Sequence, residues 1–112
     1  MNYAEIYWAD LPPRGGHVQS GRRPVIIWQD LARFRVPTIL VIPLTSQQRM
    51  LKYGGGGLIA PSTGNGLLHP SVALVFQLGA VDARWIGTRI GRLDDPDLAA
   101  IQQLAKDLQM LP

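Results

Sequence analysis

The sequence predicts a mainly β fold, a small twisted β-barrel with a helix packed against it, and three observations predict it. Five to seven short runs of β-branched and aromatic residues are separated by Gly and Pro turn chemistry. The tail carries a helix-start signal followed by apolar residues at helical spacing. A chain of 112 residues supplies one core, because two would each be too small to offset the entropy of ordering them.

In chain order, the first element is a strand over Glu5 to Leu11, ended by Pro12-Pro13. Pro12 to Arg22 holds three glycines among polar residues and reads as a mobile surface loop. Pro24 to Gln29 is the second strand, with Asp30 capping a short helical turn that runs to Arg35. Pro37 to Thr45 is apolar on successive positions, which predicts a central strand buried on both faces. Turn chemistry at Gly54 to Gly57 and at Pro61 to Gly66 flanks a brief strand, Leu58 to Ala60. Ser71 to Leu78 and Trp85 to Leu93 are the remaining strands. Asp94-Asp95-Pro96-Asp97 then supplies an N-cap, a proline at the first turn and acids facing the positive helix terminus. Leu98, Ile101, Ala105, Leu108 and Leu111 form the apolar face of that helix.

Composition excludes several classes. With no cysteine there is no disulfide framework, no zinc thiolate site and no cysteine nucleophile. Two histidines and scattered acids make a metal site unexpected. The longest apolar run, Ile39 to Leu44, is far shorter than the roughly 20 residues of a spanning helix, and MNYAEIYWAD has no signal-peptide pattern. A cytoplasmic location and no membrane partner are expected. GGGG lacks the strand, helix and Lys of a phosphate cradle.

Charge is unevenly placed. Residues 1 to 93 hold ten Lys or Arg against four acids, net +6, whereas the last nineteen residues are net −3. Nine of the eleven cations are Arg, which offers planar bidentate donors to phosphate and a stacking face to bases, although a codon bias toward Arg would give the same composition. The basic segment GHVQSGRRP (Gly16 to Pro24) sets Arg23 between loop and sheet, a sensible position for a phosphate clamp. Arg stabilises a phosphorane but is a poor base, since its pKa exceeds 12. Histidine titrates near neutrality, so His17 is the candidate for proton transfer. A surface ion pair for Arg23 and a solvated side chain for His17 explain the same residues on chemistry alone.

The order EIYWADLPP, GHVQSGRRP, PTILVIPLTS, SVALVFQLGAVD and RIGRL, followed by a terminal helix, resembles the MazF/PemK toxins of bacterial toxin–antitoxin modules over nearly the whole chain. The resemblance implies one toxin domain over 1–112, an SH3-like barrel at about 3–93 and a helix at about 95–111, of the CcdB/MazF/PemK kind. It implies a homodimeric endoribonuclease that needs no cofactor and cuts single-stranded RNA at short sequences, leaving a 2′,3′-cyclic phosphate. A MazE/PemI-like antitoxin would place an acidic, apolar tail in the RNA groove, and any DNA binding would run through that antitoxin.

Carried over by residue, the catalytic arginine before proline is Arg23 and the catalytic threonine is Thr45, which would hydrogen-bond the scissile phosphate. His17 matches a histidine of the PemK-like branch, and Gln19, Arg22, Ser46 and Gln77 fall at positions close to RNA. Local roles compete with these: Thr45 could cap the following turn, and Gln77 could make a structural hydrogen bond. Val18 stands where the family usually has Glu, while Leu74 and Phe76 stand where the PemK-like branch has Arg and Asp, so that strand offers no acid/base pair. Catalysis would then rest on Arg23, Thr45 and His17. Ala4 replaces a common Gly, an exchange expected to be harmless. Two alternatives are a non-enzymatic toxin of the same fold that poisons DNA gyrase through its terminal helix, and a silent relative that only binds RNA or antitoxin.

Overall fold

One strand organises the molecule. In the computed structural model, which describes residues 1–13, 19–33 and 36–109, strand β3 (Thr38–Thr45) lies mid-sheet, as its apolar run predicts. On one side it pairs with β2 (Gly21–Ile27), which pairs with β1 (Glu5–Leu11), which pairs with β7 (Ile86–Arg92). On the other side two strands share its edge: β6 (Gly79–Asp82) covers Thr38 to Val41, and β5 (Ser71–Leu74) covers Leu44 and Thr45. β4 (Gly56–Ile59) pairs with β5 and ends the path. All these pairings are antiparallel. The mainly β fold with a C-terminal helix is therefore as expected, but the hydrogen-bonded path stays open, since β4 and β7 do not pair.

Register explains the core. Ile6, Ile26 and Ile42 face one another across β1, β2 and β3, and all three are fully buried. On the opposite face Val25, Ile27 and Val41 pack with Ala9, Leu11 and Val81. Each such isoleucine contributes about 1.5–3 kcal/mol by leaving water. Helix α1 (Asp95–Leu108) adds Ile101 and Ala105 to the first layer. Gly57 makes room for it, because a Cβ there would stand 2.6 Å from the Ile101 Cδ1. The helical face stops short of expectation: Leu108 is 42% exposed, and Leu111 lies outside the described residues. Asp94 occupies the N-cap position without a side-chain cap bond.

Several element boundaries differ from expectation. β2 begins at Gly21 instead of Pro24, because Arg22, Arg23 and Pro24 are already paired with Asp10, Ala9 and Trp8 of β1. Arg23 is thus inside a strand, not at its edge. The run read as a strand from Ser71 to Leu78 breaks after Leu74 into a 3-10 turn, Val75–Gln77. The break lets one stretch of chain serve both halves of the β3 edge. Another 3-10 segment, Gln48–Tyr53, precedes β4. Asp30 does cap a local turn, its Oδ1 accepting from the Ala32 N–H at 3.0 Å, but no helix forms among the described residues there.

Ala4, just before β1, has an unusual backbone conformation. Its φ is +70°, a left-handed conformation that glycine adopts freely and L-residues adopt at a cost of about 1–2 kcal/mol. Its N–H donates to Ile27 O at 2.8 Å and its carbonyl accepts from Leu93 N at 2.9 Å, which hold it there. No helix among the described residues is long and apolar enough to cross a membrane.

Candidate active site

The β2–β3 seam opens at one end, and two prolines account for the opening. Pairing runs from Ile27↔Val41 to Val25↔Pro43 and goes no further. Pro43 and the next residue on β2, Pro24, both lack an N–H to continue the ladder. Beyond them lies a cleft of about 440 Å³. Extending the same register by two residues sets Arg23 opposite Thr45, and both line this cleft.

β2 contributes Arg22 and Arg23, and the end of β3 contributes Thr45 and Ser46. Four of the seven residues singled out from the sequence therefore come together. The Arg23 Nε donates to the Ser20 carbonyl at 2.7 Å, which fixes the guanidinium plane. The Arg22 guanidinium lies 4.8 Å from the centre of the Trp8 ring, a cation–π contact. Thr45 is 3% exposed, and its Oγ1 accepts from the Gln47 N–H at 3.2 Å. That is the local turn-capping role, and it leaves the hydroxyl proton to be donated.

A tight turn and the residues that follow it, His69 among them, also line the cleft. Asn65 is fully buried; its Oδ1 accepts from the Ser62 and Leu67 N–H groups, and its Nδ2 donates to the Ala60 carbonyl. Gly66 has φ +68°, and a Cβ on it would stand 2.3 Å from the Ile90 carbonyl oxygen. Only glycine lets the turn lie this close to β7. Leu67, Leu68, His69 and Ser71 then line the cleft, with Leu68 85% exposed at its rim.

No carboxylate is among the described residues that line the cleft. Elsewhere arginines meet acids: Arg89 on Glu5 at 2.6 Å, Arg84 on Asp82 at 2.7 Å and Arg92 on Asp95 at 3.3 Å. Among the described residues Arg22 and Arg23 make no such ion pair. The Glu5 site shows the contrast: burial pushes its carboxyl up, but hydrogen bonds from Arg89 and the Asn2 N–H outweigh that and hold it below the ordinary range. Tyr7, beside it, is pushed up by burial and by the Glu5 charge. Asp82, hydrogen-bonded by the Arg84 side chain and N–H, lies at about 2.

The remaining expected residues sit apart. Gln77 is in the 3-10 turn after β5, where its Oε1 accepts from the Gln19 N–H at 2.9 Å. Neither glutamine is among the described residues that line the cleft. The Gln19 Oε1 is buried without a partner among the described residues. His17 and Val18 lie outside the described residues. Sequence reasoning passed over His69 and made no site assignment for Trp8. No local sequence signal marks His69: it reaches the cleft because Thr45 pairs with Val72, so that the residues just before β5 end beside the residues just after β3. Among the described residues, no group of His, Asp or Glu is arranged to hold a metal.

A family model described as PemK-like, MazF-like toxin of type II toxin–antitoxin system matches residues 2–108. Endoribonuclease EndoA of Bacillus subtilis is 33% identical over 92 residues, covering 81% of this chain and 78% of its own. Among solved structures, MazF from Deinococcus radiodurans superposes with a TM-score of 0.82 at 20% identity, covering 99% of this chain and 97% of that one. An endoribonuclease in complex with its cognate antitoxin from a mycobacterial species gives 0.74 at 17% identity, covering 100% and 95%.

Proposed function

This chain belongs to the PemK-like, MazF-like toxins of type II toxin–antitoxin systems, and on that premise we propose that it is an endoribonuclease whose active site is the cleft at the β2–β3 opening. The observation that carries the reading is that Arg23 and Thr45 line one cleft where the β2–β3 ladder ends, with no carboxylate among its described lining residues. A polyanion is the natural occupant of a cleft lined by two arginines that no acid neutralises.

In this reading Arg23, held at Nε by Ser20, turns its terminal N–H groups to the scissile phosphate and stabilises the charge that grows on its oxygens. Thr45 donates its hydroxyl proton to the same phosphate. Arg22 and Ser46 hold flanking phosphates or bases. The ribose 2′-oxygen attacks phosphorus and the bond to the 5′-oxygen breaks, leaving a 2′,3′-cyclic phosphate and a 5′-hydroxyl without a metal. Single-stranded RNA is the substrate, since the bases must be splayed for the 2′-oxygen to come into line.

A cognate antitoxin with an acidic segment would compete for the two arginines, which agrees with the likeness to a toxin solved with its antitoxin. A homodimer is part of the proposal; the exposed Val36 and Leu40 are apolar surface that a second copy would cover. The gyrase-poison alternative places function on the terminal helix, and no residue of α1 lines the cleft.

Incubation with defined single-stranded RNA in EDTA tests the reading. Cleavage with cyclic-phosphate ends, lost in Arg23→Ala and retained when the last helical turn is removed, is the expected result. Failure of the wild-type protein to cut any RNA in a pool of random sequence would sink it.

A further inference from the structure

We infer that His69 is the proton acceptor of the cleft, the group that takes the 2′-hydroxyl proton as the cyclic phosphate forms. The inference rests on the ribonuclease reading and adds a residue that neither the motifs nor the family match singles out.

Charged and titratable groups face the interior of the cleft from β2 alone on the strand side, and these are Arg22 and Arg23, both permanent cations. β1 presents Trp8, the end of β3 presents Thr45 and Ser46, and β7 presents Ile90, none of which accepts a proton near neutrality. Among the described lining residues, which include no carboxylate, an imidazole is the one group able to do so. His69 is that imidazole. It lines the same cleft as Arg23 and Thr45, and the Thr45↔Val72 pairing brings the residues just before β5 beside the end of β3.

The position is also built. Pro70 restricts the backbone of the residue before it to extended conformations. The Ser71 Oγ donates to the His69 carbonyl at 3.0 Å, and Ser71 is itself 7% exposed at the start of β5. On the other side the Asn65 turn is locked by its buried amide and by Gly66 against β7. An exposed side chain on so constrained a backbone fits a group that must meet its substrate in one place.

The imidazole nitrogen takes the 2′-hydroxyl proton, the electron pair on the 2′-oxygen forms the new bond to phosphorus, and the bond to the 5′-oxygen breaks. Its pair leaves on the 5′-oxygen, which takes a proton from water. The imidazolium then returns its proton to the hydroxide so formed.

The test compares wild type, His69→Gln, His69→Ala and His17→Gln on one cleavable RNA between acid and neutral pH. For His69→Gln, kcat should fall by about 10²-fold or more, within the range of general-base catalysis. Binding to a fully 2′-O-methylated copy of that RNA should be unchanged. The acid limb of the pH–rate profile, where a base becomes protonated, should vanish in His69→Gln and persist in His17→Gln. Added imidazole should restore part of the activity of His69→Ala. The inference is overturned if His69→Gln keeps its rate and its acid limb, if imidazole restores nothing, or if His17→Gln is the variant that loses the limb. Those outcomes leave the ribonuclease reading intact, whereas an inactive wild-type protein removes both.

Discussion

The two ends of the β1–β2–β7 sheet use the same residue type in opposite ways. At the end near Glu5, Arg89 meets a buried carboxylate that also accepts from Tyr7 and the Asn2 N–H, so every charge there is answered. At the end near Trp8, Arg22 lies on an aromatic face and Arg23 on a backbone carbonyl. A carbonyl and a ring fix a guanidinium in place without cancelling its charge, while a carboxylate does both. Structural arginines are neutralised within the fold, and those at the cleft are held ready for an anion from outside.

The comparison can be broken from either end. The largest expected effect is at the cleft: Arg23→Ala should lower kcat/KM on RNA by about 10²–10³-fold, as for loss of one transition-state donor. Its melting temperature should hardly move, and Arg23→Lys should recover little, because Lys cannot match the bidentate fork. A large loss of stability in Arg23→Ala would show that the cleft arginine is structural after all. At the other end, Glu5→Ala should cost about 1–3 kcal/mol in urea unfolding by removing the acceptor of three hydrogen bonds. The cost stays below that of a fully buried pair because the Arg89 side chain is 51% exposed and rehydrates. Cleavage per folded molecule should be unaltered.

A smaller effect follows from pH. The Glu5 carboxyl is held below its ordinary value of 4.5, so its ionised form contributes stability that is fully present above that value. That contribution is lost as pH falls through the lower folded value. Wild type and Glu5→Gln should therefore converge in stability as acid is added from pH 4.5 downward, read by urea midpoints across the range. Parallel curves would refute the assignment.

The smallest effect is expected at Ala4. Glycine would relieve the left-handed strain of about 1–2 kcal/mol, but removal of a buried methyl and greater freedom of the unfolded chain offset it by about the same. Ala4→Gly should shift the unfolding free energy by less than about 1 kcal/mol. The exchange is thus harmless in sum even though the local backbone is strained.

Legibility in the sequence followed the range of the causes. The helix start at Asp94 to Asp97 and the centrality of β3 were readable because a few neighbouring residues decide them. Pro24 misplaced the start of β2, since the partners that extend the strand lie on β1 and local rules do not see them. SVALVFQL is uniformly strand-forming, and its break is imposed by the length of β3 edge to be covered. Arg22, Arg23, Thr45 and Ser46 were legible as motifs. His69 was not, because its meaning arises when the Thr45↔Val72 pairing folds it back onto them.

The placement of Arg23 across from Thr45 has one more consequence. Arg23 and Thr45 each stand two residues beyond the last β2–β3 rung, Val25↔Pro43, so their separation is set by that rung and by how the two strands part after it. The backbone lattice thus acts as a gauge for the phosphate clamp. Core substitutions that preserve the ladder leave the gauge untouched, whereas inserting one residue into β2 or β3 would turn one half of the clamp to the other face of the sheet. The pair tolerates wide drift in the sequence around it and almost none in the count of residues between its strands' last shared rung and itself.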